Sequence, residues 1–268
     1  MTSPSPDDPG KSGGAHFVRS LQRGLTVITA FGDGADALTL SEVARKTGLT
    51  RAAARRFLLT LVDLGYMSTD GKKFSLRPRI LDLGYSYLSG LSLPAVAEPH
   101  LEHLVSQTGE SSSMAVLDGH DIIYVARVPT SRIMTVSINV GTRFPAYATS
   151  LGRVLLAAMP PEERNAWIAD ADLRELTAKT IVDKVALSAE LDRVAARGWS
   201  LTDQELEHGL RSIAVPLRGP RGTVAAAINV STQASRVSKE TLRRKILPLL
   251  EEAAAAIQAD LPSAGHVR

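Results

Sequence analysis

The chain has 268 residues, a formal net charge of +3 and no cysteine. That length suits about two domains. The missing cysteine excludes disulfides, thiolate metal sites and cysteine nucleophiles, and no apolar run reaches the ~18 residues a bilayer span needs. Charge is uneven: Leu40 to Arg79 holds nine cations against three anions, a local +6 that leaves −3 elsewhere. A basic segment on a near-neutral remainder fits a nucleic-acid module joined to a different one.

The first stretch, MTSPSPDDPGKSGG, lacks a charged-then-apolar leader pattern and is rich in Pro, Ser, Gly and Asp. A disordered tail over 1–15 and a cytoplasmic protein are expected. Val18, Leu21, Leu25 and Ile28 recur at helical spacing, so Phe17 to Phe31 reads as a first helix. The most informative segment follows. Thr39 opens T-x-x-E with Glu42, a capping box that starts a short helix at Leu40. Gly48 supplies the left-handed turn. Thr50 caps a second helix whose inward stripe is Ala54, Phe57, Leu58, Leu61, Val62 and Leu64. Thr50, Arg51, Ala52, Arg55 and Arg56 remain on the N-terminal half of its other side, where recognition helices meet base edges. Asp70-Gly71 between two β-prone runs predicts a hairpin carrying Lys72 and Lys73, suited to phosphate contact. The order of caps, turn, basic helix and basic hairpin predicts a winged helix-turn-helix over 16–77.

Pro78 is expected to open a linker helix over 78–92. Its stripe of Ile80, Leu83, Gly84, Tyr87, Leu88 and Leu91 would pack on its own domain or, as preferred here, on a second subunit. From 93 to 262 the pattern is mixed α and β, with 263–268 as a tail. Helices are expected over Ala95–Thr108, from Thr149 or Ser150 to Met159, Pro161–Ile168, from a Ser188 cap to Gly198, and after a Ser238 cap. Strands are expected at Ser112–Leu117, Ile122–Val128, Ile133–Val140, Trp199–Thr202, Ser212–Leu217 and Val224–Ser231. The fold class is α+β, an antiparallel sheet with packed helices.

His100 and His103 lie at i, i+3 on a helix, but no third metal ligand can be placed, and a solvated face is the simpler reading. Asp203, Glu205, Glu207 and His208 crowd one run; an acid/base site, a metal site or a charged loop with a structural carboxylate all fit. G-x-S-x-G, P-loop and dinucleotide fingerprints are absent, so an enzyme is not favoured and no cofactor or metal is expected. Ligand sensing fits better. Gly141 to Gly152 precedes a helix whose first amides and hydroxyls, from Thr149 and Ser150, can hold an anion. Arg127 and Arg143 can supply charge for a carboxylate, and Tyr147 and Met134 can line an apolar wall. The plainer alternatives are a strand ion pair for Arg127 and a core position for Met134.

The segments LSEVARKTGLTRAAARRFLLTLVDLGYM, GTRFPAYATSLGRVLLA, GWSLTDQELEHGLRSIAVPL and GTVAAAINVS resemble the IclR family of bacterial transcription regulators, across about Phe17 to Leu261. Within it, FVRSL, LTRAAARRFLLTL and ESSSMAVLDGHDIIYVARVP are most similar to regulators of protocatechuate, 4-hydroxybenzoate and β-ketoadipate catabolism. The resemblance implies a winged helix-turn-helix joined by a linker helix to a GAF-like effector-binding domain. It also implies a homodimer or tetramer on palindromic double-stranded DNA, and a small aromatic or dicarboxylic acid as effector, with no membrane association. By position it places Ser150 and Leu151 at the effector-contacting helix start, and Thr202 or Asp203, with Ser212, at other polar pocket positions. Ser212 stands where other family members have cysteine, which removes any thiol chemistry there. The competing readings are a second domain that serves assembly only, and an enzyme fused to a DNA-binding head.

Overall fold

The structure is a computed structural model that describes residues 17–31, 37–81, 83, 93–130, 138–219 and 222–261. The chain divides into two compact units, Met1–Ser89 and Gly90–Arg268.

The first unit holds α1 (Arg19–Thr29), β1 (Leu38–Thr39), α2 (Leu40–Thr47), α3 (Arg51–Asp63), β2 (Met67–Thr69) and β3 (Lys73–Leu76). The capping box is present: the Glu42 N–H donates to Thr39 Oγ1 at 3.3 Å, and the Thr39 N–H donates to Glu42 Oε2 at 2.8 Å. Gly48 ends α2 at φ +66°, and Thr50 Oγ1 accepts the Ala53 N–H that opens α3. Val27, Phe31, Leu38, Val43, Ala44, Ala54, Leu58, Leu61, Met67 and Phe74 form one buried cluster. The hairpin closes as expected, with Asp70 Oδ1 accepting both the Lys72 and Lys73 N–H groups. β1 is an addition the periodicity does not reveal. Two residues are too short for a pattern, yet Leu38 pairs with Phe74 and Thr39 with Lys73, making the sheet β1-β3-β2. Two expected faces differ. Val18, which precedes α1, and Leu21 and Leu25 within it are 58%, 63% and 51% exposed, because Val27 and Phe31 turn to the small core instead. Leu64 follows the last turn of α3 and is also exposed. Pro78–Ile80 is a single 3₁₀ turn held to this unit, where Arg79 donates to the Leu64 carbonyl at 3.0 Å and lies over the Tyr66 ring. Most of the expected linker helix, including Tyr87, lies outside the described residues.

The second unit holds α4 (Leu93–Thr108), β4 (Ser111–Asp118), β5 (Asp121–Val128), β6 (Arg143–Pro145), α5 (Ser150–Ala157), α6 (Pro161–Asp170), α7 (Lys184–Arg197), β7 (Ser200–Asp203), β8 (Leu210–Arg218), β9 (Val224–Gln233) and α8 (Leu247–Asp260). The six strands run antiparallel in the order β6-β5-β4-β9-β8-β7. Ala115, Ile122, Tyr124, Ala214 and Ala227 on one face pack beneath Leu151, Val154 and Leu155 of α5 and Leu187, Leu191 and Val194 of α7. Alternate residues such as Met114, Ile213 and Ile228 are buried on the opposite face, where α4 and α8 lie.

Three boundaries depart from expectation. α7 is capped by Asp183, whose Oδ1 accepts the Ala186 N–H at 2.7 Å, so Ser188 sits inside the helix. Of the strand expected over Ile133–Val140, 133–137 lie outside the described residues, and the Asn139 carbonyl accepts the Thr142 N–H in a turn. The added strand is instead β6, whose Pro145 is tolerated because β6 is a sheet edge. After the Ser238 cap, Lys239–Thr241 is helical, then Leu242–Ile246 widens into a π turn before α8. Pro248 has no N–H for the helical ladder, which accounts for the local widening.

Candidate functional site

In the first unit, Arg51, Ala52, Arg55 and Arg56 are exposed along the first two turns of α3, and Lys72 and Lys73 are exposed at the hairpin. None of these five cations forms an ion pair among the described residues. Thr50 is occupied as the cap, so its side chain shapes the helix start. Asp70, whose carboxyl is held below the usual range by the Lys73 and Lys72 backbone N–H groups, fixes the hairpin tip and leaves both ammonium groups outward.

In the second unit the β-register builds a polar floor. Ser200, Ala214, Asn229, Ser113 and Arg127 are successive cross-strand partners on the α5-facing side. One pair further along the same face come Thr202, Ser212, Ser231 and Ser111. Ser150, the first residue of α5, closes over the second row: its Oγ lies 2.5 Å from Ser212 Oγ, which is 3.3 Å from Thr202 Oγ1. Arg127 reaches across from β5 and donates to Ser113 Oγ at 3.2 Å. It is half-buried and has no carboxylate partner among the described residues. Burial lowers its pKa from the ordinary value, and nearby Tyr124 opposes that. Tyr124, buried on the same face, has its phenol pushed up to about 12 by burial, against the opposing effect of Arg127, so it stays a neutral donor. Asn229 donates from Nδ2 to Ser231 Oγ at 3.1 Å, while its Oδ1 is buried without a hydrogen-bond partner among the described residues.

The remaining candidates fall elsewhere. Arg143 sits at the exposed end of β6 and is engaged by Asp118 at 2.7 Å and Asp121 at 3.2 Å, the first of which chiefly raises its pKa. Two carboxylates thus already meet the charge that was expected to serve a ligand. Asp203 points to the opposite side from Thr202 and meets Arg211 at 2.8 Å, Lys239 at 2.9 Å and Lys179 at 3.4 Å. Burial pushes its carboxyl up, but the hydrogen bonds from Lys239 and Arg211 outweigh that and hold it well below the usual range. Asp203 is thus held by three cations on the face away from Thr202. Tyr147 is buried in the core, and its hydroxyl is satisfied by donating to the Arg174 carbonyl and accepting the Arg174 N–H. Thr149 caps α5 by accepting the Gly152 N–H at 3.0 Å, and Leu151 is fully buried in the core. Met134 lies outside the described residues.

Two family models match the chain, the IclR helix-turn-helix domain over residues 20–71 and the bacterial transcriptional regulator IclR C-terminal domain over residues 85–259. The chain belongs to the IclR family. It is 45% identical over 240 residues to the Pca regulon regulatory protein of Pseudomonas putida, covering 89% of this chain and 82% of that one. It is 39% identical over 243 residues to the p-hydroxybenzoate hydroxylase transcriptional activator of Acinetobacter baylyi, covering 89% and 90%. Among solved structures, an IclR homolog from Microbacterium hydrocarbonoxydans complexed with 4-hydroxybenzoate matches with a TM-score of 0.81 at 27% identity, covering 90% of this chain and 98% of that one.

This IclR-family chain is a DNA-binding transcription regulator and not an enzyme. Its acidic run reflects that. Glu205 forms a bidentate ion pair with Arg153, itself 1% exposed, and Arg153 Nε also donates to the Tyr147 carbonyl at 2.8 Å. His100 binds Asp260 across α4 and α8 and is not near a cluster of metal-type ligands; no such cluster occurs among the described residues. Sequence reading overlooked Ser113, Asn229, Ser231, Tyr124 and the Arg153–Glu205 pair. The available clue was polar residues two apart within otherwise apolar strands, Ser111/Ser113 and Asn229/Ser231, which mark one face of a buried sheet.

Proposed function

We propose that this regulator is switched by a small carboxylic acid from aromatic catabolism, bound on the polar floor beneath α5. The observation that carries this reading is Arg127, a half-buried cation with a hydroxyl but no acid beside it among the described residues, at the end of the row through Ser113 and Asn229 and next to a second row of buried hydroxyls. An unpaired cation is costly to bury, and a ligand carboxylate would offset that cost. Tyr124 and Ser113 support the carboxylate, and Ser150, Thr202 and Ser212 meet the other end of the molecule. The relatives named for the Pca regulon and for p-hydroxybenzoate hydroxylase, and the 4-hydroxybenzoate complex of a structural neighbour, support the choice of acid.

The DNA reading rests on α3 and the hairpin. Arg51, Ala52, Arg55 and Arg56 face base edges, while Lys72 and Lys73 meet phosphates. The exposed Val18, Leu21 and Leu25 stripe supports a homodimer, which would read a palindromic operator. Among the described residues no helix is long and apolar enough to cross a membrane.

The test is calorimetric titration and thermal unfolding of the full chain with protocatechuate, 4-hydroxybenzoate and β-ketoadipate. A ligand at about 100 times its Kd should add about 2.7 kcal/mol of stability. Binding that changes operator affinity supports the reading. Failure of all three acids to bind would leave DNA binding intact and favour a second domain that serves assembly alone.

A further inference from the structure

The polar floor contains a second demand besides charge. Asn229 is 2% exposed, its Nδ2 is used by Ser231, and its Oδ1 has no donor among the described residues. None of the neighbouring hydroxyls donates to Asn229 Oδ1 among the described residues. Ser113 Oγ accepts from Arg127, Ser112 Oγ donates to the Asn229 carbonyl on the opposite side of the strand, and Ser212 is shared between Ser150 and Thr202. A buried acceptor left unpaired costs free energy that a ligand donor would recover. Asn229 lies on β9, one strand from Ser113 on β4 and one strand from Ala214 on β8. A strand step is about 5 Å, so this acceptor stands about that far from the place where Arg127 and Ser113 meet. A benzoate lying over the floor, with its hydrogen bonds directed down onto it, can set a meta or para substituent over Asn229 while its carboxylate stands over Arg127. Ser200 Oγ is likewise without a partner, but two strands beyond Asn229 and so out of reach of the same small ring.

We infer that Asn229 sets the specificity of the site by requiring a hydroxyl donor on the acid, so that a ring-hydroxylated acid is taken in preference to one with only ether or carbonyl oxygens. The inference rests on the polar floor being the effector site. With the carboxylate at Arg127, one ring hydroxyl donates to Asn229 Oδ1. A second, adjacent hydroxyl would reach toward the Ser212–Ser150–Thr202 chain, which favours a catechol acid over a monohydroxy acid.

The experiment is calorimetry on the full chain with 3,4-dihydroxybenzoate, 3- and 4-hydroxybenzoate, their methyl ethers and unsubstituted benzoate, each against the unaltered protein and Asn229→Leu. The expected result is that hydroxy acids bind at least about tenfold more tightly than benzoate or the ethers. Asn229→Leu should remove most of that preference while leaving benzoate affinity within about threefold. Equal binding of hydroxy and methoxy acids overturns the inference, because an ether accepts but cannot donate. A uniform loss for every acid in Asn229→Leu also overturns it, since that reports general damage to the site. Should the variant fail to fold, the hydroxy-against-methoxy comparison on the unaltered chain still decides. Absence of binding by every acid removes the underlying effector reading instead, a result distinct from binding without hydroxyl preference.

Discussion

Arg127, Arg143 and Arg153 show how little the residue type alone says. All three are arginines in or beside the same sheet, yet one is half-buried with no acid beside it among the described residues, one is paired at the surface and one is sealed in the core. Their substitutions should separate accordingly. Arg127→Met is expected to weaken acid binding by about 1.5–3 kcal/mol, roughly ten- to hundredfold in Kd by calorimetry, with little change in the unfolding midpoint. Arg143→Ala should leave the Kd unchanged and cost at most about 1 kcal/mol of stability, as exposed pairs do. Arg153→Ala strands the buried Glu205 carboxylate, and denaturant unfolding should register a loss of about 3–5 kcal/mol. Asp203 belongs to the same comparison through pH. Its folded carboxyl titrates well below the unfolded one, so its contribution is complete at neutral pH. That contribution fades as the solution is acidified below the ordinary aspartate pKa. Asp203→Asn should therefore flatten the acid limb of a stability-against-pH curve measured between about pH 5 and pH 2.

At the scale of elements, α5 is placed by contact rather than by length. A Cβ on Gly152 would overlap the carbonyl and Cα of Ala146, backbone atoms that cannot swing aside. This is what lets the turn before α5 fold tightly against the helix and bring Ser150 down to Ser212. Gly152→Ala is expected to cost about 1–3 kcal/mol and to reduce acid affinity even though Gly152 touches no ligand; thermal unfolding and calorimetry on one sample would check both. The elements were legible in the sequence wherever a local device announces them: the Thr39–Glu42 box, Gly48, Thr50 and Asp70-Gly71. They were less legible where the nearest capping residue is not the one used, as with Ser188 where Asp183 starts α7, or where an element is too short for periodicity, as with β1 and β6. The site divided in the same way. Ser150, Thr202, Ser212 and Arg127 could be named, the first three through resemblance. Asn229, Ser113 and Ser231 could not, because their meeting depends on strand order β5-β4-β9-β8, which joins residues more than a hundred positions apart. Thr202 and Asp203 stood as alternatives in the sequence, and the strand separates them: one residue along it turns a side chain to the other face.

For the whole molecule, the two units carry separable chemistry. On the proposed reading of α3, Arg51→Ala removes a bidentate base contact and should cost about 1–3 kcal/mol on the operator and relax discrimination at one base pair. Lys72→Ala should weaken operator and random DNA alike and lower the slope of log affinity against log salt by about one. Fluorescence anisotropy over a salt series distinguishes the two. An acid that alters operator affinity must itself bind with altered affinity when operator is present, by the same factor. Dimer formation through the exposed α1 stripe would be checked by light scattering of Leu21→Lys/Leu25→Lys. The polar floor has a consequence for how such a sensor can be retuned. Its groups stand on hydrogen-bonded strands at fixed pitch, not on loops, so exchanging one side chain alters one point of recognition and leaves its neighbours where they were. New inducers for a reporter strain are thus within reach of single substitutions at 113, 212 or 229, each read out as a changed dose–response without rebuilding the rest of the protein.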